Sequence, residues 1–127
     1  MRMSSVALIA VVVGSGTACA GRPQMFEGAY GRGFEDHTFR PCGAQPQDRS
    51  WWVVMGGPVD SVAKAAVDSA HGQPMFARVR GRVGPEGAYG HLGLSSRILT
   101  VVGVEEMRPR QMGDCEGRRL DQGVRIR

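Results

Sequence analysis

Past its N-terminal leader, one stretch of this chain carries a helical pattern. In "SVAKAAVDSA" apolar residues recur at Val62, Ala63, Ala66, Val67 and Ala70, the spacing of a single helix face. Asp60 or Ser61 can cap its start, which predicts a helix running to about Ala70, where "HGQP" ends it. The other apolar runs of the mature chain are short, and they alternate or are rich in aromatic and β-branched residues. They read as strands. One helix among short strands must bury its stripe against a sheet.

The strands fall on both sides of that helix. "FEGAYGRGFE" from Phe26 is glycine-rich and irregularly alternating, which predicts a long strand bent at Gly31 or Gly33. "HTFRPCG" is a second strand, and "SWWVVM" over 50–55 is a third. After the helix, "MFARVRGRV" over 75–83 alternates, with Arg78, Arg80 and Arg82 on one side and Ala77, Val79 and Val83 on the other. "RILTVVGVEEM" over 97–107 is the last strand, apolar on both sides of its middle. Three strands, a helix and two strands is the order of an OB-fold, a small five-stranded β barrel with its helix between strands three and four. An open α+β sandwich is the alternative. The bent first strand and the doubly apolar last strand favour the barrel.

The chain opens "MRMSSVALIAVVVGSGTACA": Arg2, an apolar run from Val6 to Val13, then small residues. This is the layout of an export signal. The run is far shorter than the ~20 apolar residues of a membrane span. Ordinary signal peptidase would cut between Ala20 and Gly21. Lipoprotein processing would cut before Cys19, because "GTAC" is a degenerate lipobox with Gly16 where Leu is usual. The cysteine at that place favours residues 1–18 as a lipoprotein-type signal peptide and Cys19 as the lipidated residue, with palmitate. Residues 19–25 then form a linker, 26–116 the barrel domain and 117–127 an irregular tail. The expected location is the outer membrane, facing the periplasm; a soluble periplasmic or secreted protein is the alternative.

The mature length suits one domain. Net charge is +4, and the cations are arginines apart from Lys64. Of three cysteines, Cys42 and Cys115 remain beyond the leader. An exported pair is a disulfide by default. No CxxC and no zinc-finger spacing supports a metal or redox pair.

"GAYGRGFEDHTFRPCG", "WWVV", "PMFARVRGRV" and the late cysteine resemble the C-terminal OB domain of NlpE-type bacterial envelope lipoproteins. The shared features span roughly residues 28 to 115. The resemblance implies outer-membrane attachment through Cys19 and a Cys42–Cys115 disulfide. It also implies a setting in copper homeostasis, envelope stress signalling or surface sensing. The N-terminal CxxC domain of that family has no counterpart here, so metal or redox sensing through CxxC does not carry over.

Candidate sites follow from the fold. His37, beside the loop between strands one and two, and Tyr89 and His91, between strands four and five, lie on the loops that frame the usual OB ligand face. Asp36 is a further donor, but a metal needs three or four ligands and a fourth is not visible, so no metal is assigned. Arg78, Arg80 and Arg82 form a basic stripe whose spacing of about 6.6–7 Å matches nucleic-acid phosphates. Export argues against a nucleic acid and for an anionic glycan, lipid headgroup or acidic protein. The plainer reading is a solvated face paired with Glu105 and Glu106. Trp51 and Trp52 point to opposite faces, one of them into the core. The methionines fall at no regular spacing and read as core filling rather than a copper site. No GxSxG, HExxH or P-loop is present, so no catalytic residue and no cofactor is assigned. The leading expectation is a non-enzymatic envelope lipoprotein, an interaction module for an envelope protein or cell-wall component. The alternative is a periplasmic metal or small-ligand carrier using the loop histidines; a small hydrolase ranks last.

Overall fold

The computed structural model describes residues 21–116. Cys19, the signal sequence and the 117–127 tail lie outside the described residues. The strands are β1 (Gln24–Arg32), β2 (His37–Pro41), β3 (Trp51–Val54), β4 (Met75–Val83) and β5 (Ile98–Pro109), with helix α1 (Gly57–Ser69) between β3 and β4. They close into a barrel in the order β1-β2-β3-β5-β4, with β4 returning to β1. Neighbours are antiparallel except β3 and β5, which run parallel. This is the expected OB topology. β1 begins at Gln24, inside the stretch read as linker.

Alternation drives closure. Phe26 and Tyr30 of β1, Phe39 of β2, Trp51 and Val53 of β3, Met75, Ala77 and Val79 of β4, and Leu99 and Val101 of β5 point inward and form the core. The ring of Trp51 meets Phe26 edge-on at 5.5 Å and stacks on Phe39 at 6.0 Å. Truncating Phe39, which is fully buried, would cost about 3–5 kcal/mol.

β1 is the strand that closes the barrel: residues 28–32 pair with β2 and residues 24–30 with β4. The expected hinge was Gly31 or Gly33. Gly33 lies beyond the strand, donating its N–H to the Asp36 carbonyl at 2.8 Å. The crowded position is Gly28, where a Cβ would collide with the backbone of Arg40. Two strands approach there closely enough that only glycine fits.

The helix starts earlier than its capping residues suggested. Pro58 occupies the first turn, which suits its fixed φ and missing N–H, and the N-cap is Gly56 without a side-chain cap. Asp60 sits in the first turn and Ser61 within it. Ala63 and Ala70 are buried against the barrel, and Val59, Ala66 and Val67 pack beside them. Val62, expected on the apolar stripe, is exposed. The helix ends as His71 and Gly72 turn to φ of 51° and 79°.

The segment after β5 folds back on the outer surface. Cys42 and Cys115 are disulfide-bonded, with Cα atoms 5.1 Å apart and a sequence separation of 73. On the chain-entropy model, closing a loop of that length stabilises the fold by roughly 4 kcal/mol. Arg108 completes the attachment. Its Nη2 donates to Asp114 Oδ1 at 2.7 Å, its Nη1 to Oδ2 at 3.0 Å and its Nε to Glu106 Oε1 at 2.6 Å. The guanidinium also covers the Phe76 ring at 4.6 Å. Phe76 is thereby buried on the outer side of β4, away from the barrel core. Arg108, with the Gln111 N–H, holds the Asp114 carboxyl below the usual carboxylate range.

Candidate functional site

Two loops meet at one end of the barrel. The β1–β2 loop (33–36) presents Phe34 and Glu35; the β4–β5 loop (84–97) presents His91 and Leu92. His91 Nε2 lies 3.6 Å from Glu35 Oε2, so the loops are in ion-pair range when the imidazole is protonated. Around this contact Phe34 is fully exposed, Leu92 is 81 % exposed and Leu94 is 62 % exposed. Leu92 adopts φ 54°, a left-handed conformation that costs a branched residue free energy.

The longer loop has a folded core of its own. Tyr89 and Ser95 exchange backbone hydrogen bonds of 2.8 and 3.0 Å, and Tyr89 Oη donates to the Pro85 carbonyl at 3.1 Å. Tyr89 is therefore engaged in holding its own loop. Gly90, at φ 72°, lies against the face of Trp52, where a Cβ would strike the indole. The second tryptophan is thus an outer-face platform for the loop, half-buried, while Trp51 is core. The outward aromatic of β3 and the glycine-rich loop after β4 carried the signal for this contact, but it joins residues far apart in sequence.

His37 is not an exposed loop residue. It begins β2, half-buried, and its Nε2 lies 2.6 Å from Tyr30 Oη. Burial lowers its pKa, the nearby Arg32 adding to the effect, and burial raises that of Tyr30. Arg32, two residues beyond Tyr30 and on the same side of β1, grips Asp60 through Nη1 at 2.8 Å and Nη2 at 3.3 Å. The cluster ties the first turn of α1 to the end of the barrel, and Arg32 holds the Asp60 carboxyl below its ordinary range. His37 is thus engaged with Tyr30, and His91 with Glu35. Among the described residues no group of three or more His, Cys, Asp or Glu is placed to hold a metal. Met75 is core, Met55 and Met107 pack beside it, and Met25 and Met112 are exposed.

The arginine stripe divides in two. Register sets Glu27 and Glu106 on either side of Arg78, at 3.6 and 2.6 Å, so its charge is matched. Arg80 and Arg82 are exposed, and no described carboxylate pairs with either. Glu106 is the expected partner found; it serves Arg78 and Arg108 together.

No helix among the described residues is long and apolar enough to cross a membrane. No protein-family model matches the chain, and comparisons with curated proteins and with solved structures give no match either.

Proposed function

We propose that the protein is a non-enzymatic envelope lipoprotein of the NlpE type: an OB barrel held at the outer membrane by acylated Cys19, contacting an envelope protein or cell-wall component. One observation carries the reading. The chain has three cysteines, and Cys42 and Cys115 are bonded to each other. That bond does not involve Cys19, which stands at the end of a stretch with the layout of an export signal. Phe34, Leu92 and Leu94, exposed apolar side chains on the two loops, support contact with another protein. A role in envelope stress or surface sensing belongs to the same proposal.

Fractionation of cells expressing wild type and Cys19→Ala tests it. Wild type should sediment with the outer membrane and incorporate labelled palmitate. Cys19→Ala should lose the label and leave the membrane or remain uncleaved. Wild type soluble in the periplasm and unlabelled would overturn the reading. The carrier alternative is weakened by the engagement of His37 with Tyr30. It predicts stoichiometric metal in protein purified without a histidine tag, measurable by elemental analysis.

A further inference from the structure

We infer that the Arg80–Arg82 end of the outer β1–β4 surface is the face this barrel turns toward an anionic phospholipid membrane; this rests on the Cys19 anchor proposed above. Three observations point there. The first is where the chain emerges. Arg82 Nε donates to the Gly21 carbonyl at 2.9 Å, so the start of the described chain is fastened to β4. Cys19 lies two residues before Gly21, and two extended residues span at most about 7 Å. The Debye length at physiological salt is about 8 Å. A bilayer holding acylated Cys19 would therefore keep Arg82 within reach of the surface potential.

The second is the distribution of charge along one strand. Arg78, at the far end of the stripe, is neutralised by Glu27 and Glu106. The exposed Glu105 occupies the bulge opposite Arg78 and Val79, also toward that end. Arg80 lies along Gly103 of β5, its Nη2 3.3 Å from where a Cβ would stand, and Arg82 pairs in register with exposed Thr100. Exposed Arg22 follows Gly21 directly. Arg22, Arg80 and Arg82 have no carboxylate partner among the described residues, although Glu86 is exposed in the loop beyond β4. The third is an apolar residue among the cations. Met25 is the register partner of Arg80 and is 47 % exposed. A thioether flanked by guanidinium groups suits the headgroup region, where apolar atoms enter and cations meet phosphate. Near a negatively charged leaflet each such arginine strengthens association about fivefold.

The test uses the full wild-type protein, purified from membranes and placed in vesicles of phosphatidylcholine alone or with phosphatidylglycerol. Arginines are modified with phenylglyoxal, and the sites are mapped by mass spectrometry. Arg22, Arg80 and Arg82 should react at least fivefold more slowly in the phosphatidylglycerol vesicles, while Arg40 and Arg49 change less than twofold. In Arg80→Glu/Arg82→Glu, checked for an unchanged Tm, the lipid-dependent protection of Arg22 should vanish. The same preparation reports the N-terminal mass. Acylated protein with equal reactivity in both vesicles overturns the orientation and leaves the anchor standing. Unacylated protein with no protection overturns both.

Discussion

Arg108 and Arg80 stand on adjacent strands of one barrel, both on its outer surface, and their fates differ. Arg108 meets two carboxylates, a main-chain carbonyl and an aromatic ring, and it fastens the end of the domain to β4. Arg80 meets a glycine across the sheet and keeps its charge exposed. The side chain is the same; what differs is its surroundings: Arg108 lies across from Phe76 and finds Glu106 on its own strand and Asp114 just beyond it, whereas Arg80 lies across from Gly103. Where acidic residues fall beside an arginine the pair becomes architecture, and where they do not the cation is left for a partner.

The most severe way to break the contrast is to cut the covalent staple beside Arg108. Replacing Cys42 and Cys115 by Ser should remove roughly 4 kcal/mol and lower Tm by roughly 15–30 °C, read by calorimetry. Next comes Arg108→Ala, which uncovers Phe76 and strands Asp114. It should lower Tm clearly, though less than loss of the disulfide, and more than any change at Arg80 or Arg82.

Acid sharpens the same contrast. Asp114 and Asp60 have folded pKa values held below their unfolded ones, by Arg108 and Arg32. Each contributes stability that is fully present above about pH 4 and lost as pH falls through the folded value. His37 adds a limb at higher pH. Its folded pKa is lowered by burial, so the unfolded chain takes up a proton first and stability declines as pH drops below about 6.5. Urea titrations across pH should show both limbs. Asp114→Asn should flatten the lower one, and His37→Gln should remove the upper one. The smallest expected effect is at the exposed pair: Arg80→Ala/Arg82→Ala should change stability by no more than about 0.5 kcal/mol.

Much of the barrel was legible in its local patterns. The bounds of β4 match the alternating run "MFARVRGRV", and the single 3.6-residue pattern marks α1. The misses come from contacts between distant residues. Gly28 is crowded by Arg40, which no local pattern announces. Val62 fits the helical stripe, yet Val59, Ala63, Ala66, Val67 and Ala70 meet the barrel and Val62 stays exposed. The early helix start was readable at Pro58, whose preference for the first turn competes with the capping signals at Asp60 and Ser61. At the loop end, sequence marked two loops that the fold brings together. It did not show that His37 turns to Tyr30 while Glu35 reaches His91, because side-chain direction depends on where each strand begins. The Arg108–Asp114 clasp lay in a segment without periodicity, and only its proximity to Cys115 hinted at order.

The mass of the mature N-terminal peptide tests the lipoprotein reading most directly. Protein extracted from membranes, digested and analysed by mass spectrometry should yield a peptide beginning at Cys19 and carrying a diacylglyceryl group. A peptide beginning at unmodified Gly21 would contradict the anchor and make Cys19 a passenger of the signal sequence.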